Sequence, residues 1–143
     1  MKTLQHSIDI PASPSAVWQV LTDTSEYETW NPFMTHLSGS LAAGEQLTVT
    51  IRAGGRTMTF RPTVKEYTPV ARIRWLGRLG VRGIFDGEHE LHLEPLPTGG
   101  TRFTQRETFR GLLVPLMRSV LADTEAGFEA MNHALRARAA TIG

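Results

Sequence analysis

The order in which hydrophobic periodicity changes along the 143 residues predicts an α+β fold. It is a curved antiparallel sheet of about six or seven strands wrapped around one long C-terminal helix, with two short helices after the first strand. Three observations carry this expectation. Alternating runs separated by Gly and Pro turns occupy 33–110. A helical stripe follows from Pro115 to Arg138, broken only by Gly127. The last two of the alternating runs form a hairpin whose register is written in its charges.

The first run, Thr3 to Ile10, alternates polar residues with Leu4, His6, Ile8 and Ile10 and reads as a strand. Ser13-Pro14 supplies an N-cap followed by Pro at the first helical position, and Ala16 to Leu21 continues as helix. A second short helix fits Ser25 to Thr29. It must stop near Asn31, because Pro32 disfavours helical geometry in the residue before it.

Gln46 to Arg52 then places Leu47, Val49 and Ile51 on one face, and Gly54-Gly55 makes a turn. Arg56 to Tyr67 reads as one further strand with Met58, Phe60, Pro62 and Val64 on one side. Arg72 to Leu79 carries Ile73 and Trp75; Gly77, Gly80 and Gly83 punctuate the next hairpin, and Ile84 to Glu94 and Thr101 to Arg110 are two long strands. In the closing segment apolar residues recur at Leu116, Met117, Val120, Leu121, Phe128, Met131 and Leu135. That is helical spacing sustained over about 24 residues, ~36 Å at 1.5 Å per residue. Gly127 inside it marks a close approach or a kink.

The last hairpin fixes its own register. Pairing residues whose numbers sum to 196 sets Glu94 opposite Arg102, Glu90 opposite Arg106 and Asp86 opposite Arg110; shifting by two either way leaves one such pair. The same register leaves Pro97-Thr98-Gly99 as a three-residue loop, with Pro suited to a type I turn and Gly to the left-handed position after it. The inward set is then Gly87, His89, Leu91 and Leu93 facing Phe109, Glu107, Gln105 and Phe103. His89, Gln105 and Glu107 are polar where apolar residues belong, and His89 falls directly opposite Glu107. Two readings are open: a polar patch that orients a ligand or moves protons, or a satisfied structural pair.

Composition narrows the function classes. With 41% hydrophobic and 20% charged residues the chain is globular, and its length makes one domain over 1–143 the default. A net charge of +1 with no basic block gives no nucleic-acid footprint. No cysteine is present, which removes disulfides, thiolate catalysis and cysteine-ligated metals. No apolar run approaches the ~20 residues of a membrane span. The N-terminal residues lack a signal-peptide core, so a cytoplasmic location is expected.

Two metal-like patterns dissolve on inspection. His89 and His92 are three apart on a strand and face opposite sides. Glu125, Glu129 and His133 form a helical stripe that reads as a solvated face with a weak Glu–His contact. No phosphate loop or nucleophile elbow is found, and neither a cofactor nor a metal site is expected.

Particular segments resemble a known superfamily. Ile10-Pro11-Ala12-Ser13-Pro14-Ser15-Ala16-Val17-Trp18 is similar to its entry into the first helix, and Tyr27-Glu28-Thr29-Trp30-Asn31-Pro32-Phe33 to its turn into the second strand. Phe85-Asp86-Gly87-Glu88-His89, Thr101-Arg102-Phe103-Thr104-Gln105 and Gly111-Leu112-Leu113 resemble its bacterial polyketide cyclase/dehydrase-like branch. This is the helix-grip superfamily of START lipid-transfer domains and Bet v 1-like proteins, and the resemblance spans essentially the whole chain. It implies a cavity between sheet and long helix holding an apolar small molecule: a lipid, a polyketide or an aromatic compound.

The residues expected to line that cavity are Phe33, Phe60, Trp75, Phe85, His89, Phe103, Gln105, Glu107, Met117, Leu121, Thr124 and Phe128. The aromatics among them, with Trp18, Trp30 and Phe109, could line a pocket, but for any one of them core is the better reading, because pockets and cores share apolar composition. The leading expectation is a binder or carrier of a hydrophobic molecule, as monomer or homodimer. One alternative is a cyclase or dehydratase with His89 and Glu107 as acid and base, and the other is a protein-interaction module of the same fold.

Overall fold

A computed structural model describes residues 1–78 and 81–142. Strand β1 (Lys2–Ile10) leads into helix α1 (Pro14–Thr22), whose N-cap Ser13 accepts a hydrogen bond from the Ala16 amide at 3.2 Å. A 3₁₀ turn (Thr24–Glu26) runs into helix α2 (Tyr27–Trp30), which stops at Asn31 as Pro32 requires. The strands β2 (Met34–Ser38), β3 (Thr48–Ala53), β4 (Arg56–Phe60), β5 (Thr63–Thr68), β6 (Arg72–Arg78), β7 (Asp86–Pro95) and β8 (Thr101–Arg110) follow. After a 3₁₀ turn (Val114–Leu116) comes the long helix α3 (Arg118–Ala140). Leu79 and Gly80, the expected strand end and turn, lie outside the described residues.

The strands number eight among the described residues, arranged as a five-stranded antiparallel sheet in the order β1-β8-β7-β6-β5 and a three-stranded sheet in the order β2-β3-β4. The excess over six or seven comes from two places. Arg56 to Tyr67 is not one strand, because Pro62 has no N–H to carry the ladder onward; β4 pairs with β3 in the small sheet and β5 with β6 in the large one. The sheets meet where Leu47 donates to the Pro62 carbonyl at 2.8 Å and Gln46 bridges Thr63, so the predicted Gln46–Arg52 strand straddles the joint. The other is β2. Its buried Met34 and Leu37 are three apart across a bulge, so no period of two was there to be read.

The closing hairpin has the predicted register residue for residue, including His89 opposite Glu107. Leu96 and Gly100 bracket the Pro97-Thr98-Gly99 loop, the Gly99 amide donates to the Leu96 carbonyl at 3.0 Å, and Gly99 sits at φ +91°. The ion pairs are not those that suggested the register. Glu90 meets Arg72 at 2.8 Å, Asp86 meets Arg78 at 3.8 Å, Glu88 meets Arg74 and, at 3.8 Å, Arg110, and Arg102 meets Asp9 at 2.9 Å. An outward side chain on an inner strand has a neighbour on each side, and long arginines reach diagonally or into the next ladder.

Helix α3 lies chiefly along β1 and α1, burying Leu121, Phe128, Met131, Leu135 and Ala139. It begins three residues later than the apolar spacing predicts. Pro115 occupies the 3₁₀ turn, which leaves Leu116 79% exposed instead of inside the stripe. At Gly127 the approach is close: a Cβ there would stand 2.6 Å from Cε1 of Phe33 and closer still to Cδ1. The Glu–His contact within the helix does not form. Glu125 meets His6 of β1 at 3.2 Å, and His133 meets Arg136 at 3.3 Å.

Candidate functional site

Because α3 leans toward the β1 edge, it leaves the inner face of β6 and β7 to be covered by the β3–β4 hairpin. A cleft remains between them. One lobe, a cavity of about 60 Å³, runs over Trp75, Gly77, Gly87 and His89 beneath Phe60 and Pro62. The other, about 70 Å³, runs between Met58 on the hairpin and Met117, Val120 and Thr124 at the start of α3. Ile51, Phe60, Phe85, Glu107 and Phe109 belong to both, so the lobes meet at Glu107. Arg78 stands at the rim of the first lobe, Arg56 and Asp123 at that of the second. The walls are otherwise mostly apolar, the usual character of a small-molecule site.

The polar residues of the last hairpin form a connected network under that junction. His89 is 2% exposed, with its ring stacked on Trp75 (centroids 5.2 Å apart, 11° between planes) and edge-on to Phe128 at 5.2 Å. The stack on Trp75 arises from the ladder, since Trp75, His89 and Glu107 are consecutive cross-strand partners on β6, β7 and β8, while Phe128 comes from α3. His89 Nδ1 lies 3.2 Å from Glu107 Oε1, and His89 Nε2 lies 3.1 Å from Gln105 Oε1. Gln105 donates through Nε2 to Asn132 Oδ1 at 2.8 Å and to the Phe128 carbonyl at 3.4 Å; Asn132 donates through Nδ2 to the His6 carbonyl at 3.3 Å. Glu107 keeps 15% of its side chain exposed. Its Oε2 lies over Gly87, where a Cβ would stand 2.5 Å away. Gly87 thus makes room for the carboxylate.

Of the residues expected to line a cavity, the structure brings Phe60, Trp75, Phe85, His89, Glu107, Met117 and Thr124 to the cleft. Phe33, Phe103 and Phe128 are fully buried behind it: Phe33 fills the notch at Gly127, and Phe128 backs the His89 ring. Leu121 is part of the core, and Gln105 lies behind His89. Sequence reasoning did not assign Ile51, Met58 or Val120 to the site, and Phe109, weighed there as pocket wall or core, lines both lobes. All three missed residues sit in apolar periodic runs, and what places them is the packing of the small sheet against α3, which no local pattern records. Asn132 was also missed, although its spacing from Phe128 and Leu135 puts it on the buried stripe of α3. Among the described residues no group of three His, Asp or Glu side chains is placed to hold a metal, and His92 projects from the face of β7 opposite His89.

A family model described as polyketide cyclase / dehydrase and lipid transport matches residues 1–140. The chain belongs to this family. No curated protein matches it in sequence. Solved structures with the same fold include the Zhui aromatase/cyclase from a Streptomyces species, at 16% identity and a TM-score of 0.78 over 96% of this chain and 93% of that one. A START superfamily protein from Mycobacterium smegmatis matches at 19% identity and a TM-score of 0.75 over 99% of both chains. A protein from Thermus thermophilus matches at 18% identity and a TM-score of 0.77 over 98% of both. Identities this low establish a shared helix-grip fold of the START and Bet v 1-like kind and leave function to the site. No described helix is long and apolar enough to cross a membrane.

Proposed function

We propose that this chain is one ligand-binding domain that holds a hydrophobic small molecule, a lipid, polyketide or aromatic compound, in the cleft between sheet and C-terminal helix. The observation that carries this reading is the two-lobed cleft itself, with apolar walls drawn from the hairpin, the large sheet and α3, and a polar spot only at its middle and rims. An apolar fluorophore such as N-phenyl-1-naphthylamine should bind saturably to the native protein. At a free concentration 100 times Kd, linkage stabilises the native state by about 2.7 kcal/mol, a rise of several degrees in Tm. Thr124→Phe, which fills the second lobe, should weaken binding far more than it changes Tm. If a panel of fatty acids, flavonoids and polyketides also shows no saturable binding, the cleft reading fails. The protein-interaction reading, with exposed Leu112 and Leu116 as its candidate surface, replaces it.

A second reading is favoured by one observation, a carboxylate presented to an apolar cleft and held from behind by a buried histidine. In it the chain is a cyclase or dehydratase-type enzyme acting on a polyketide-like substrate, with His89 and Glu107 as acid and base. Loss of turnover in Glu107→Gln, with ligand binding retained, is the result that distinguishes an enzyme from a carrier.

A further inference from the structure

We infer that Gln105 and Asn132 set the protonation of the His89–Glu107 pair, so that the cleft presents a bare carboxylate oxygen, Glu107 Oε2, and selects apolar ligands whose polar end is a hydrogen-bond donor such as a phenolic or enolic hydroxyl. The inference rests on the cleft being a ligand site.

The network begins from atoms whose roles are not adjustable. The carbonyl oxygens of His6 and Phe128 can only accept. Asn132 therefore turns its NH₂ to His6 and its oxygen to Gln105, and Gln105 turns its NH₂ to Asn132 and to the Phe128 carbonyl. The oxygen of Gln105 is left facing His89 Nε2, which must carry a hydrogen to meet it at 3.1 Å. A neutral imidazole has one N–H, and this arrangement has already assigned it. His89 Nδ1 and Glu107 Oε1, 3.2 Å apart, would then oppose two lone pairs in a place where His89 is 2% exposed. A further proton must lie between them. On nitrogen it makes an imidazolium–carboxylate pair; on oxygen, an imidazole and a carboxylic acid. The pair is electrically neutral either way, the state burial favours. In both forms the shared proton is committed to the Nδ1–Oε1 link, and Oε2 keeps its lone pairs free. Among the described residues Oε2 receives no hydrogen bond, and it lies over Gly87, a wall residue of the first lobe. The Glu107 side chain is 15% exposed, and an acceptor that reaches an apolar cleft with no protein donor of its own is satisfied by a ligand that brings one.

The test is a matched pair of probes, 2-naphthol and 2-methoxynaphthalene, titrated calorimetrically into the full chain. The naphthol should bind about tenfold more tightly, the size expected for one hydrogen bond gained in the cleft. Glu107→Leu should bring the ratio close to one while the ether still binds. Should that variant not fold, Glu107→Gln serves. Its NH₂ turns to the bare Nδ1 and its oxygen to the cleft, so the preference keeps its sign and shrinks to about threefold. Long-range ¹H–¹⁵N spectra of the native protein should show His89 protonated at Nε2, with Asn132→Leu releasing Gln105 and mixing the tautomers. Equal affinities in the native protein, a ratio unchanged by Glu107→Leu, or an unprotonated Nε2 overturns the inference and leaves the cleft reading intact. Failure of both probes to bind overturns the two together.

Discussion

Replacing Gly127 by Ala sets two effects of known size against each other. In an exposed helix interior Ala is favoured over Gly by about 1 kcal/mol, because Gly loses more backbone freedom on folding. Position 127 is not in such a place. A Cβ there meets three atoms of the Phe33 ring, at 2.6 Å from Cε1, 3.1 Å from Cγ and nearer still to Cδ1, where ordinary contact begins near 3.4 Å. The ring has to move by about an ångström, and it has little room. Phe33 is fully buried, its amide is bonded to Asn31 Oδ1 at 3.0 Å, its carbonyl accepts from Arg52 at 2.9 Å, and its ring stands edge-on to Phe128 at 5.5 Å. Overpacking a pinned core site costs about 1–3 kcal/mol. The cost should exceed the propensity gain, so Gly127→Ala should lose up to about 2 kcal/mol.

Urea unfolding followed by tryptophan fluorescence measures this directly. Ala130→Gly on the exposed face of α3 calibrates the propensity term in the same helix and should cost about 1 kcal/mol. Combining Gly127→Ala with Phe33→Leu should recover at least about 1 kcal/mol relative to additivity, because the clash needs both partners. The perturbation also reaches the site, since Phe128 is the shared neighbour of Phe33 and His89. A Gly127→Ala protein more stable than the native one, with no coupling to Phe33, would refute the claim that close approach demands glycine there.

Two further outcomes follow from buried polar groups. Tyr27 is buried and donates to the Leu21 carbonyl at 2.6 Å, and burial pushes its pKa well up. The folded value lies above the unfolded one, so this contribution is complete below pH ~10 and is lost as pH rises beyond it. Tyr27→Phe should cost about 1–2 kcal/mol at neutral pH and remove part of the alkaline loss seen in pH-dependent melting. For the site pair, His89→Leu and Glu107→Leu should each cost about 1–3 kcal/mol and the double substitution less than their sum by about 1 kcal/mol or more; strict additivity in urea melts would mean the pair is not coupled.

The parts of the fold that could be read in advance are those whose cause is local. Ser13-Pro14, Asn31-Pro32 and Pro97-Thr98-Gly99 each impose a backbone geometry within four residues, and each holds in the structure. What was not legible depends on distant partners. The bulge between Met34 and His36 hides β2 from any period-two search. The split at Pro62 becomes evident only when Thr63 is seen to pair with Leu76 and Phe60 with Val49, in different sheets. In the site, His89, Gln105 and Glu107 announced themselves as polar residues on an apolar face. The residues covering them did not, because the β3–β4 hairpin and α3 reach the cleft through packing between elements far apart in the chain.

The same hairpin carries both its register and its chemistry, on opposite faces. The outer ion pairs that join β6 to β7 are partly exposed and worth at most about 1 kcal/mol each, so they are a weak source of stability. The opposite charges that face each other across β7 and β8 act instead on alternatives. Side chains alternate across a strand, and a slip of one residue between β7 and β8 would turn one strand's outward charges into the cleft and send His89 or Glu107 to solvent. A slip of two keeps the faces but parts His89 from Glu107 and leaves one opposite-charge pair where the native register has three across the ladder. The Gly99 turn disfavours both slips independently. Weak charges outside and a turn at the end thereby bring a histidine and a glutamate together inside with a precision that neither residue could enforce alone.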